Sequence, residues 1–377
     1  MVRHLRIVPF ASQVPGTVAG MTFEDEAQRH LDRLVGRRAA FREGQMDLMP
    51  TITDTTKAAL LLTSRLVDSP AKPLTPSEWA ELVTRLGDAG LGPADVFDLG
   101  FDPVRSLRYD DERSDRLRVR LEGATALAFD LESLLQTGIW VVATGDDASP
   151  ERLSKALATA TPPGLFGAGP AELLESGGVG VVGSRDVSSQ GAEFAADVAR
   201  AAAAAGLSLV SGGARGVDQI AMNAAATRGR VIGVLADSLK ARIRKANVRS
   251  LMADDRVCLV TPYHPASGFS VGSAMGRNKL IYGLADLTVI VASASGSGGT
   301  WAGATEALSK RYGAVAVYRG AGEGVGNGEL EALGATPVKA VDDVLGLISS
   351  GAADVSPAAD EAEQLGIFDP PSIPPPA

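Results

Sequence analysis

With 377 residues, 45% of them hydrophobic and 21% charged, the chain can bury a sizeable core and is expected to carry a main domain with a smaller companion. No run approaches about eighteen apolar residues, which excludes a membrane span, and the single cysteine, Cys258, excludes an internal disulfide framework. The formal net charge of −9 argues against a polyanionic partner, but between Gly180 and Gly320 there are 16 Lys and Arg against 9 Asp and Glu, so the acidity lies elsewhere.

Residues 1–50 show no clean pattern and are read as an N-terminal extension. The opening MVRHLRIVPFASQVPG has only short, broken apolar groups, so no signal peptide is expected and the cytoplasm is the expected compartment. Met46 or Met49 would also suit as a start before the helical pattern that follows. Residues 51–147 are expected to form a small helical domain of helix-hairpin-helix type. Its helices are TTKAALLLTSRLV from Thr55, SEWAELVTRLGDAG, DERSDRLRVRLEG and ATALAFDLESLLQTG. Thr75-Pro76-Ser77-Glu78 is a capping box with Pro at the first helical position, and it marks the start of the second helix.

From Ile139 the rhythm changes to short apolar strands alternating with helices. After IWVVA (139–143), strands are predicted at 179–183, 207–210, 230–236, 257–260, 287–292 and 314–318. Gly206 and Gly229 end the helices QGAEFAADVARAAAAAG and DQIAMNAAATRG. Continuous apolar strands separated by helices predict a doubly wound α/β fold, an extended Rossmann-like parallel sheet over 148–345 preceded by the small helical domain. Cys258, within the apolar run VCLV, is expected to be a buried hydrophobe, and no His cluster accompanies it to hold zinc. Residues 346–377 read as a disordered acidic tail rich in Pro and Ala.

Ligands of such sheets bind beyond the carboxyl ends of the strands. Gly178, Gly180 and Gly183 spell GxGxxG, but the first two precede or sit within a strand. The second strand ends in SGGARG, with no acidic residue to take a ribose. A dinucleotide is therefore not expected, and no other cofactor or metal is. The chemistry lies in Gly183-Ser184-Arg185, where a strand end meets a hydroxyl, a guanidinium and a helix start. Backbone N–H groups there favour an anion, and Arg grips a phosphate with two N–H donors. Ser211, Gly212, Gly213 and Arg215 repeat this after the next strand, and Ser297, Gly298, Gly299 and Thr300 after strand 287–292. Gly276-Arg277-Asn278-Lys279 is read as starting a helix that lines the same cleft. The basic stretch LKARIRKANVR (239–249) is read as one helix with charge spread around it.

These segments, VGSR (182–185), SGGARGVD (211–218), RNKLIYGLAD (277–286) and SGSGGTWAGA (295–304), resemble in content and order the DNA-processing protein A (DprA, Smf) family. The resemblance implies a protein that binds and protects single-stranded DNA and helps load a RecA-type recombinase during DNA uptake, natural transformation or recombination. A homodimer is a separate expectation, and the sequence alone does not set the oligomeric state. The resemblance also implies DNA-phosphate contacts at Gly183, Ser184, Arg185, Ser211, Gly212, Gly213, Arg215, Arg277, Asn278, Lys279, Ser297, Gly298, Gly299 and Thr300, with no catalytic residue. Met222 stands where the family has a His, TPYHP (261–265) replaces a glutamate-containing segment, and no winged-helix segment is recognisable after residue 350, which marks a divergent branch. Two other functions use the same cradles: a sensor for a free nucleotide, and a nucleoside-monophosphate phosphoribohydrolase with Glu306 as its carboxylate.

Overall fold

A computed structural model describes residues 49–98 and 100–351. The expectations for residues 1–48 and 352–377 lie outside the described residues. Among the described residues, five α-helices come first: α1 (Asp54–Thr63), α2 (Pro76–Asp88), α3 (Pro103–Leu107), α4 (Asp111–Leu121) and α5 (Ala124–Gln136). The Thr75 hydroxyl accepts from the Glu78 amide and the Glu78 carboxylate accepts from the Thr75 amide, so the capping box forms as read. Arg116 clamps the same carboxylate at 2.6 Å and, as the main cause, holds its pKa down to about 2. Trp79, Leu82 and Leu86 of α2 pack with Leu107, Leu117 and Leu62 into a core of their own.

The remaining elements, in chain order, are β1 (Trp140–Ala143), α6 (Glu151–Leu157), β2 (Gly164–Ala168), β3 (Val179–Val182), α7 (Ser189–Ala204), β4 (Ser208–Ser211) and α8 (Val217–Ala225). They continue with β5 (Arg230–Val234), α9 (Leu239–Arg242), α10 (Ala246–Ala253), β6 (Val257–Thr261), α11 (Val271–Leu284) and β7 (Leu287–Ile290). The last are α12 (Gly298–Lys310), β8 (Ala314–Tyr318), α13 (Asn327–Ala332), β9 (Thr336–Val338) and α14 (Val341–Ser349).

Among the described residues, nine strands form one sheet in the order β1-β2-β6-β5-β4-β3-β7-β8-β9. Its body is parallel, and β1 and β2 extend one edge as an antiparallel pair. The doubly wound α/β expectation holds. Strand side chains alternate between two buried faces. Val179, Val181, Leu209 and Val231 join α7, α8 and α14 on one face, where Leu60 of α1 and Leu131 of α5 also pack. Val182, Val210 and Ile232 meet α6, α11 and α12 on the other. Each such side chain, once buried, contributes roughly 1.5–3 kcal/mol, which is why the interiors of these strands are apolar.

Four readings are corrected. Strands β2 and β9 escaped the sequence pattern, because GLFGA has two glycines and TPV is short with a Pro. Helix α11 starts at Val271, capped by the Ser270 hydroxyl, so Gly276–Lys279 lies inside the helix. The basic stretch breaks at 243–245 into α9 and α10. Residues 346–349, assigned to the acidic tail, belong to α14.

Candidate nucleic-acid interface

From β3 the chain winds one way through β4, β5 and β6, then crosses back to β7 on the other side of β3. Strand order reverses between β3 and β7, and beyond the carboxyl ends at such a reversal is where sheets of this kind bind ligands. Three turns meet at this point. The Ser184 amide donates to Ala292 O at 2.8 Å and the Val217 amide to Ser184 O at 3.2 Å, so the turn after β3 is tied to the chain after β7 and to the start of α8.

The predicted residues divide into a rim and a floor. On the rim, Arg185 is exposed, with its guanidinium carbon 5.3 Å from the centre of the exposed Phe269 ring. Arg215 is exposed too and pairs with the equally exposed Asp186 at 2.9 Å. Ser297, Gly298 and Gly299 are open to solvent, and a Cβ added to either glycine would meet no atom within 4 Å. Thr300 is half-buried in the first turn of α12. The Ser184 hydroxyl closes a local turn with the Asp186 backbone at 3.1 Å.

On the floor, Gly183, Gly212 and Gly213 supply backbone. Ser211 is fully buried and its hydroxyl donates to Val181 O at 2.7 Å, so it braces β4 on β3 rather than facing the cleft. Arg277, read as a phosphate contact lining the cleft, is only 4% exposed. It donates to Gly212 O at 2.8 Å and to the Asn278 side chain at 3.1 Å. Asn278 in turn donates to Gly299 O at 3.0 Å. Through this relay α11 holds both the β4 turn and the start of α12. Lys279 is half-buried, and burial lowers its pKa against the opposing field of Glu306.

Beneath these turns lies a carboxylate absent from the predicted site, Asp218, 4% exposed on α8. Burial pushes its pKa up to about 6, while Arg277 and the amides of Ala214, Gly212 and Gly183 oppose the rise. It belongs to the quoted SGGARGVD, and an acid one turn into a helix after a glycine turn was the available signal. Because its folded pKa stands above the ordinary aspartate value of 3.8, the native state holds a proton that the unfolded chain has lost over the window from about 4 to about 6. Stability attributable to Asp218 therefore falls as pH rises through that window. Asp218→Asn is expected to flatten the pH dependence of the denaturation midpoint there. A parent-like slope in Asp218→Asn would refute the assignment.

Asn327, also unforeseen, is fully buried and accepts from the Ser293 amide at 2.9 Å while donating to Val291 O and Tyr318 O. It fixes the exit of β7, from which the Ser297 loop projects. The only sequence signal was an Asn within a glycine-rich stretch. Glu306 lies two turns into α12, roughly 12 Å along the helix from Gly298, and is exposed, accepting from the Tyr312 hydroxyl at 3.2 Å. It stands away from the rim turns. Among the described residues no group of His, Cys, Asp or Glu is arranged to hold a metal, and no helix is long and apolar enough to cross a membrane. The arrangement offers two exposed guanidiniums and open glycine backbone around a buried, braced floor, which suits phosphate groups reaching it from solvent.

The solved X-ray structure of DNA processing protein A from Streptococcus pneumoniae is similar to this chain, with 25% identity, a TM-score of 0.50, and coverage of 72% of this chain and 98% of that one. A Helicobacter pylori structure, whose subject is the single-stranded DNA binding mode of its DNA processing protein A, matches at 23% identity with a TM-score of 0.46, over 56% of this chain and 96% of that one. A molybdenum cofactor carrier protein from Chlamydomonas reinhardtii matches at 19% identity and a TM-score of 0.33, over 47% of this chain and 98% of that one. No curated protein matches the chain. The family model for DNA recombination-mediator protein A matches residues 140–349, which takes in the whole sheet and all three rim turns, and the chain belongs to that family.

Proposed function

We propose that this protein binds single-stranded DNA along the carboxyl edge of its sheet, protects it, and helps load a RecA-type recombinase, as in DNA uptake or recombination. The observation that carries the reading is the rim, where Arg185, Arg215 and the Ser297–Gly299 backbone face solvent from three turns tied into one frame. A single strand exposes its phosphates singly and bends to follow such a rim. Each arriving phosphate exchanges places with the Asp186 carboxylate at Arg215, an exposed pair that costs little to open. The site works by binding and has no catalytic group. Affinity led by phosphates is weakly selective for sequence and falls steeply with salt.

Titration of a labelled oligonucleotide at two salt concentrations tests this. Arg185→Ala is expected to weaken binding about tenfold and to lower the salt slope by about 0.7. Arg185→Ala binding like the parent, or no binding by the parent at low salt, defeats the reading. Saturable binding of a mononucleotide without affinity for oligonucleotide would assign the rim to a nucleotide sensor. The mediator role predicts faster assembly of a RecA-type recombinase on DNA when this protein is present, and a homodimer belongs to the same proposal.

A further inference from the structure

The basic stretch 239–249 lies next to the rim, at the exit of β5. Arg242 is the joint, pairing with Asp237 at 2.9 Å and donating to Gly213 O at 3.4 Å in the turn after β4. On the other side the Lys240 amide donates to Pro265 O at 2.9 Å, and the Lys240 charge helps burial to depress the pKa of His264. Helix α10 is two-sided: Val248, Leu251 and Met252 pack on the core, while Lys245 and Arg249, one turn apart, face solvent with Arg244. No Asp or Glu occurs between Asp237 and Asp254. Lys240, Arg244, Lys245 and Arg249 have no carboxylate within 4.0 Å among the described residues, whereas Arg215 and Arg242 each have one. Four cations without a carboxylate partner thus follow β5, the strand beside β4, in a segment that Arg242 ties to the β4 turn.

We propose that Lys240, Arg244, Lys245 and Arg249 form a second, outer phosphate-binding site, engaged by the part of a single strand that runs beyond the rim turns. The inference rests on the single-stranded DNA reading of the rim and adds a length dependence to it. A strand of about six nucleotides fills the rim alone, and one of about twenty, longer than the roughly 4–16 nucleotides that one single-strand groove covers, reaches both sites. The outer contacts are made to backbone charge, so they are blind to base identity and sensitive to salt.

The experiment compares six-nucleotide and twenty-nucleotide oligonucleotides on the full chain, for the parent, for Arg185→Ala and for Arg244→Ala/Lys245→Ala/Arg249→Ala. Exposed side chains are removed, so the fold is retained, which circular dichroism checks. The triple variant is expected to lose roughly tenfold in affinity for the twenty-mer, to lower its salt slope by about 2, and to bind the six-mer as the parent does. Arg228→Ala/Lys310→Ala removes exposed charge from the ends of α8 and α12 at the opposite edge and is expected to change neither. If the triple variant binds the twenty-mer with the parent's affinity and slope while Arg185→Ala weakens both oligonucleotides, the outer site is overturned and the rim stands. An equal loss in the amino-edge variant also overturns it, since overall charge would then account for the effect. Failure of the parent to bind either oligonucleotide overturns the rim reading and the outer site together.

Discussion

Replacing Gly216 with Ala is expected to cost about 3–5 kcal/mol of stability and to abolish oligonucleotide binding. Gly216 has φ +83° and ψ −130°, a backbone region in which a side chain collides with its own main chain. A Cβ there would also lie 2.4 Å from Ser184 O and 2.6 Å from Arg185 O. Both obstacles are backbone, so neither can swing aside. Relief requires the turn carrying Arg185 to part from the one carrying Arg215, which destroys the rim as it destabilises the fold. Gly298→Ala is the control. Gly298 also has positive φ, +86°, but its added Cβ meets nothing within 4 Å, so only the backbone term remains, on the order of 1 kcal/mol. Urea midpoints of the two variants measure the difference, and equal losses would show that the collision at Gly216 is relieved elsewhere.

Arg277→Ala is expected to cost about 3 kcal/mol at pH 7, since it leaves Asp218 buried without its nearby cation and empties the space against Gly212. The loss carries a pH signature. Asp218 titrates at about 6 with Arg277 present, and without it the value moves further up, because Arg277 opposes the effect of burial. Below that value the carboxyl is neutral and no longer needs a cation, so the deficit is expected to shrink between pH 7 and pH 5. Asp218→Asn in the Arg277→Ala background is expected to recover part of the loss at pH 7. Unfolding at the two pH values decides it, and a deficit unchanged by pH would separate Arg277 from Asp218. Oligonucleotide affinity falls with the same change, through the Gly212 carbonyl and the Asn278 relay that set the rim.

Much of the frame was legible in the chain. The apolar runs at 179–182, 257–260 and 287–292 are buried on both faces, and a strand covered by helices on each side is predominantly apolar, with Thr288 the buried polar exception. The glycine turns were legible because close backbone approach and anion binding both demand glycine at a strand end. GxGxxG misled in form only, since Gly180 packs inside β3 and Gly183 alone reaches the turn.

The sequence by itself determined the alternation of strands and helices, the edge of the sheet at which the proposed site lies, and the residue types displayed there, because each follows from local periodicity and turn chemistry. Only the tertiary structure decided which of those residues are open to solvent. Ser211 and Arg277 look like donors to phosphate in the chain, yet one hydroxyl is spent on β3 and one guanidinium is enclosed beneath Gly212. Lys245 and Arg249 look like an ordinary solvated helix face until β5 and the Arg242 bond to Gly213 O show that their segment is tied to the β4 turn. The physical reason is that burial and neighbouring charge are set by segments far apart in sequence, and no local pattern records which strand lies next to which.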